Sequence, residues 1–223
     1  MVRKIIACVL RSNGNYSSDK VWKLYHNIKK FTNLNDIDFI CLSDDPNVPG
    51  YHALEHNFPT WWAKIELFKE SYVQMPSRIL YLDLDTVILG DLSKFFNSKG
   101  LYMLEDFNLK TPASGFMMWD SGTVNFIYED FIKCKDPMNP IHKVNHHQKV
   151  YGDQSWIEKC LRYHRYPINF FQKTFKNEVL SWPRNSKNMP RGSVVCFYGK
   201  VKPWNCAGWA KELYDSFPDS PEI

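Results

Sequence analysis

The sequence contains no C-x-x-C pair. Its six cysteines, Cys8, Cys41, Cys134, Cys160, Cys196 and Cys206, are scattered along 223 residues, which excludes the usual zinc spacings and a compact disulfide framework. Free thiols in a reducing compartment follow as the simpler expectation. No apolar run approaches the ~18 residues that cross a bilayer, and Ile5 to Leu10 behind Arg3 and Lys4 is too short for a secretory core, so a soluble, cytoplasmic protein is expected. Five consecutive basic residues occur nowhere, and the net charge of +4 is a mild excess. That argues against a nucleic-acid partner and suits a small phosphate-bearing ligand. What remains is ordinary: 44% apolar and 23% charged residues, the balance of a globular chain long enough for one domain over 1–223.

The most informative stretch is Arg78 to Leu92, RILYLDLDTVILGDL. Ile79 to Leu82 has the length and composition of a buried strand, and Asp83 and Asp85 follow at its end. In an open α/β sheet the crevice beyond the carboxyl ends of the strands receives ligands. In extended chain, residues two apart point the same way, so both carboxylates can reach one hard cation such as Mn²⁺ or Mg²⁺, shared with a substrate phosphate. For a bare D-x-D a strand-end turn on a solvated edge is the commoner reading, and the apolar strand before it and Thr86 to Leu92 after it make the signal more specific.

Other segments alternate in the same α/β manner. Lys4 to Leu10 reads as a strand ending in the turn formers Arg11 to Asn15, and Ser17 or Ser18 caps a helix to Lys30 with Val21, Trp22, Tyr25 and Ile28 on one face. The loop after a first strand approaches the ligand in nucleotide-binding folds, which makes Leu10, Arg11 and Tyr16 candidates for holding a base and phosphate; a plain surface turn fits the same residues. Ile37 to Leu42 is a second strand, with Asp44 beyond it as a ribose contact or a turn cap. Thr60 reads as the N-cap of a helix Trp61 to Glu70, its apolar stripe Trp61, Ile65 and Phe68, with Trp62, Glu66 and Lys69 turned away. Leu101 to Leu104 and Ala113 to Trp119 are strands, Val124 to Lys133 a helix, and Cys134 to Val150 a long loop whose His142, His146 and His147 lack diagnostic ligand spacing. Gly152-Asp153-Gln154 opens another helix with Trp156, Ile157, Cys160 and Leu161 inward, and Gly208 to Phe217 a last one, in a C-terminal tail over 205–223. Of the tryptophans, Trp61, Trp62, Trp119 and Trp156 read mainly as packing residues, and Trp182, in the loop SWPR, as the one set by its loop to stack on a ligand.

Taken together, the D-x-D strand, Asp153-Gln154 and Cys196-Phe197-Tyr198-Gly199-Lys200-Val201-Lys202-Pro203-Trp204 resemble glycosyltransferases of the GT-A fold, especially the family of glycogenin and bacterial lipopolysaccharide galactosyltransferases. The resemblance covers most of the chain, with its motifs in family order. It implies a single α/β domain with a mostly parallel sheet, a nucleoside diphosphate sugar donor (a uridine one first), a glycan or other hydroxyl acceptor, and Mn²⁺ or Mg²⁺ on Asp83 and Asp85. It further implies Lys64, Leu84, Gly199 and Lys202 on the donor side, Asp153 and Gln154 beside the anomeric carbon, and retention of configuration. Glycine lets backbone approach an anion and lysine binds phosphate as a point charge.

Two positions depart from the family. Ala113 stands where an Asn would touch the donor sugar, leaving Ser114 as the nearest substitute, and Cys196 stands where a His would be the third metal ligand. A thiol must lose its proton and prefers softer metals, so Cys196 is expected to be a buried strand residue. Two rivals fit parts of the pattern: a haloacid-dehalogenase-type phosphatase with Asp83 as nucleophile and Asp85 as acid and base, and a GT-A-like module that binds without turnover.

Overall fold

The computed structural model describes residues 2–12, 16–69, 76–138 and 152–221. Its centre is a seven-stranded sheet in the order β3-β2-β1-β4-β7-β6-β8: β1 Arg3–Leu10, β2 Ile37–Ser43, β3 Tyr51–Ala53, β4 Ser77–Leu82, β6 Tyr102–Glu105, β7 Pro112–Asp120 and β8 Asn169–Phe170. All neighbours run parallel except β7, which is antiparallel to both β4 and β6. A small second sheet, β5-β10-β9, joins β5 Thr86–Ile88, β10 Val194–Cys196 and β9 Val179–Ser181.

Every residue of β4 is buried, as expected of a strand covered on both faces. The alternation of β1 and β4 divides the core. Ile6, Cys8, Leu80 and Leu82 face one cluster with Val21, Leu24 and Ile28 of the helix α1, Ser18–Phe31. Ile5, Ala7, Ile79 and Tyr81 face another with the 3₁₀ helix Thr60–Phe68, α2 Phe126–Lys133 and α3 Asp153–Tyr163. The Asn27 side chain exchanges two hydrogen bonds of 2.8 Å with the backbone of Ile88 and so ties α1 to β5.

The strand order places the site. From β1 the chain winds outward through β2 and β3, then returns to lay β4 on the other side of β1. The crevice at the carboxyl ends of β1 and β4 is therefore a topological switch point, the place where open α/β sheets bind ligands. Because β7 runs the other way, its beginning lies at the same edge, and Gly115 accepts the Asp83 N–H at 2.9 Å.

Several local expectations are corrected. The segment Thr60–Phe68 is 3₁₀, with Pro59 as its N-cap, and Thr60 is its first residue at φ 52°. At three residues per turn the faces differ from those of an α-helix: Trp62 to Phe68 are all buried and Trp61 is exposed. Glu66, fully buried, accepts the N–H groups of Glu55 and His56 at 2.7 and 3.1 Å. On α1, Leu24 takes the inward place expected of Trp22 and Tyr25, which are half-buried. Asp83-Leu84-Asp85 is a turn, closed by the Thr86 N–H on the Asp83 carbonyl at 3.1 Å, and not extended chain. Trp182 is buried, stacked on Phe197 at 4.8 Å, and no acceptor contact. After the short α4, Phe171–Thr174, the last helix is α5, Trp209–Asp215. All six cysteines are free. His142, His146 and His147 lie outside the described residues.

Candidate active site

At the switch point opens a pocket of about 580 Å³. β1 and its exit contribute Val9 and Arg11, the D-x-D turn contributes Asp83, Leu84 and Asp85, the start of β7 Ala113 to Gly115, the start of α3 Asp153 and Gln154, and the stretch after β10 Phe197, Tyr198 and Lys202. Tyr16 and Cys196 also line it.

On one side the charges are already paired. Lys64, 5% exposed, reaches in from the 3₁₀ helix and donates to Asp83 Oδ1 at 3.0 Å and Asp153 Oδ2 at 2.7 Å. Burial works against its charge, yet Asp153 and then Asp83 hold the ammonium above its ordinary pKa. The Ser114 hydroxyl donates to Asp153 Oδ2 at 2.8 Å and accepts from Lys64 at 3.3 Å, while the Ser114 N–H donates to Gln154 Oε1 at 3.4 Å. Ser114, in the pocket wall, orients Asp153 and Gln154 and commits its hydroxyl proton to Asp153, so the sugar contact expected of it would have to be made to its remaining lone pair. Tyr81, near the end of β4 and two residues before Asp83, donates its hydroxyl to Asp83 Oδ1. Sequence reasoning misses this residue, although the period of two could find it.

On the other side charge is left over. Asp85 is buried and its carboxyl is pushed up to about 6, first by burial and then by Asp83, against the pull of Lys202. Lys202 donates to Asp85 Oδ2 from the loop after β10. Cys196 pairs with Thr86 across the small sheet, which brings its thiol near both acids. Burial first, then Asp85 and Asp83, hold it protonated well above the ordinary thiol range, so it is a poor ligand for a hard cation. The same two acids, after burial, raise the Tyr16 phenol.

Three expected contacts do not reach the pocket wall. Leu10 is fully buried in the core because side chains alternate along β1, and Val9 and Arg11 face the pocket in its place. Asp44 lies behind Arg11, paired with its guanidinium at 3.5 Å and accepting the Ser12 N–H at 2.8 Å. Gly199 sits on the outer side of the Lys202 loop at φ 72°, and a Cβ there would meet nothing within 4 Å. Its positive φ serves the turn, and no protein group crowds it. Among the described residues no group of three His, Cys, Asp or Glu side chains gathers as a metal site, and no helix is long and apolar enough to cross a membrane.

The mostly parallel sheet with one reversed strand is that of the GT-A fold of glycosyltransferases. The solved structures that share it include the galactosyltransferase LgtC in complex with donor and acceptor sugar analogs, with a TM-score of 0.64 at 13% identity over 98% of both chains. An active-site mutant of LgtC with glutamine changed to glutamate superposes at 0.63 and 14% identity, also over 98% of both chains. The glycosyltransferase GlyE of Streptococcus pneumoniae TIGR4 gives 0.60 at 15% identity, over 96% of this chain and 59% of its own. At such identities the likeness establishes the fold. No family model and no curated protein sequence matches the chain.

Proposed function

We propose that the protein is a glycosyltransferase that moves a sugar from a nucleoside diphosphate sugar, a uridine one first, to a hydroxyl acceptor, using a divalent cation and retaining configuration. The observation that carries this reading is the meeting in one pocket of two strand-end acids, a buried lysine joining Asp83 to Asp153, and a loop lysine on Asp85. LgtC, with the same fold, is seen in complex with donor and acceptor sugar analogs, and a glutamine belongs to its active site.

The residues fit Mn²⁺ or Mg²⁺. Asp83 and Asp85 are hard oxygen donors, and the Asp85 carboxylate, disfavoured first by burial and then by Asp83, would be stabilised by a bound cation. Two carboxylates leave positions for diphosphate and water, the usual arrangement for a metal shared with a nucleotide. Such a cation, when bound, adds positive charge against the departing diphosphate.

The remaining chemistry belongs to the chain. Lys202 turns from Asp85 to the diphosphate and offsets charge that grows there as the glycosidic bond breaks, stabilisation placed where charge develops. Lys64 fixes Asp83 and Asp153 relative to each other, so Asp153 and Gln154 lie ready beneath the cation-like anomeric carbon. Asp106 Oδ1 already accepts the N–H groups of Asn108 and Leu109 at 2.8 and 2.7 Å. With Asp153 held by Lys64 and Asp106 Oδ1 taken up by its own loop, the base assigned to the attacking hydroxyl is the leaving diphosphate oxygen, as retention requires. The phosphatase reading draws no separate support, since Lys64 and Tyr81 already engage Asp83 Oδ1 and leave only Oδ2 to attack phosphorus.

Thermal unfolding with uridine, guanosine and thymidine diphosphate sugars, with and without Mn²⁺, tests the proposal. A ligand at about a hundred times its dissociation constant adds ~2.7 kcal/mol, a rise of roughly 5 to 11 °C for a domain of this size. The expected result is a shift that needs one nucleotide class and metal together and vanishes in Asp83→Asn. No shift with any nucleotide sinks it, and binding without transfer to a broad acceptor panel leaves a non-catalytic module.

A further inference from the structure

Trp61 is the most exposed aromatic residue among those described in the pocket wall, at 56% against 39% for Tyr198. The rest of its 3₁₀ helix, from Trp62 to Phe68, is buried. Residues three apart eclipse one another in a 3₁₀ helix, and each turn rises about 6 Å. Trp61 therefore stands one turn outward from Lys64, whose ammonium holds Asp83 and Asp153. Two features fix it there. Thr60, a β-branched residue, adopts φ 52° just before it, a conformation that costs energy and is held by its surroundings. Behind the indole, Gly152 at φ 102° leaves so little room that a Cβ would meet Trp61 Nε1 at 2.6 Å and Cδ1 at 3.0 Å. The glycine backbone thus lies against the pyrrole ring, and the next two residues are Asp153 and Gln154.

We propose that Trp61 is the platform on which the acceptor stacks, and that the acceptor is a pyranoside whose apolar ring face covers the indole. This rests on the transferase reading above. The spacing carries it: the reacting centre lies over Lys64 and Asp153, and one turn further out is about one sugar ring away. An exposed, rigid indole offers a large apolar surface to a ring that keeps its hydroxyls in water. Donor contacts belong to Arg11, Lys202 and the acids deeper in the pocket, so the platform sets acceptor choice and leaves nucleotide affinity alone.

Trp61→Ala and Trp61→Phe are to be compared with the wild type in two measurements. Calorimetric titration with uridine diphosphate and Mn²⁺ reads the donor site, and saturation-transfer NMR with lactose, maltose and methyl β-galactoside reads direct sugar contact without nucleotide. Expected are nucleotide affinity within about twofold of wild type in both variants, and ring-face proton saturation by at least one sugar that is lost in Trp61→Ala and kept in Trp61→Phe. With that sugar as acceptor, its KM rises about tenfold in Trp61→Ala, a change of one decade in binding, while kcat changes less. Saturation equal in Trp61→Ala and wild type, absent with every sugar, or an equal loss of nucleotide affinity overturns the platform. Sugar contact through Trp61 with no nucleotide binding overturns the transferase reading and leaves the platform standing.

Discussion

The two sides of the pocket hold similar side chains in opposite electrostatic condition. Around Lys64, two carboxylates share one buried ammonium, and a serine and a tyrosine hydroxyl fill further acceptor positions. Around Asp85, a buried acid close to Asp83 is relieved chiefly by the partly exposed Lys202 of a loop and more weakly by Lys64, and its pKa is still raised. The first side is a finished piece of structure, and the second is left with charge that a cation and a diphosphate would complete. A lysine that must position groups belongs in the core, whereas one that must exchange partners belongs on a loop.

Breaking the finished side has the largest effect. Lys64→Met leaves Asp83 and Asp153 without their buried cation, and removing one partner of a buried ion pair costs about 3–5 kcal/mol. Urea unfolding at neutral pH should show that loss, with transfer abolished. Adding Asp153→Asn to Lys64→Met should restore part of the stability and none of the activity. Full stability in Lys64→Met alone would mean that this side is not held by the lysine.

The two acids of the turn sharpen the contrast, because their conversion to amides should move stability in opposite directions. Asp83→Asn takes a partner from Lys64 and destabilises. Asp85→Asn removes the acid whose charge the fold disfavours. The sign follows from its raised pKa: the folded state holds the proton more firmly than the unfolded chain, so Asp85 lowers stability progressively as pH rises from about 4 to about 6 and by a constant amount above. Asp85→Asn should therefore match wild type near pH 4 and exceed it by roughly 1–3 kcal/mol at pH 8, in unfolding curves without ligand. Both variants should lose the metal-dependent nucleotide shift.

That contrast also marks how far the sequence can be read. Strands β1, β2, β4 and β7 are visible as apolar runs, and Asp83, Asp85, Lys64, Asp153, Gln154 and Lys202 are each marked by a neighbouring motif and meet in one pocket. Leu10 is misplaced because the exit of β1 depends on register, and one step along a strand exchanges faces. Asp44 is misplaced because its pairing with Arg11 joins loops 33 residues apart. The helical stretch at Trp61 is misread because apolar residues on every side carry no signal to separate three residues per turn from 3.6. Trp182 shows the same limit: a tryptophan between Ser181 and Pro183 looks like a loop residue until the small sheet and α5 close over it.

The open side should respond to pH as a ligand site. If the proposed cation is held by the Asp85 carboxylate, Mn²⁺ affinity measured with uridine diphosphate should be level above pH 7 and fall about tenfold per unit well below the pKa, which lies at about 6. Chelation should remove the nucleotide-induced thermal shift while leaving the unfolding temperature of the free protein unchanged, because the finished side needs no metal. A large drop on chelation alone would show a structural cation and erase the distinction between the two sides.

The smallest effect is expected where the open side meets solvent. Gly199 has φ 72°, and its Cβ direction is empty, so Gly199→Ala introduces conformational strain and no clash. The cost should be about 1 kcal/mol, a fall of roughly 2–4 °C in the unfolding midpoint. The loop can instead relax, since the turn from Lys202 to Cys206 is tied by Asn205, whose side chain accepts the Lys202 N–H at 2.6 Å and donates to the Lys200 carbonyl at 3.1 Å. Relaxation would move Lys202 off Asp85 and show itself as weakened nucleotide binding with little change in the midpoint. Strain would show the reverse, a lower midpoint with binding kept. Measuring both on one variant tells whether the loop lysine is held in place by the glycine turn or by Asn205.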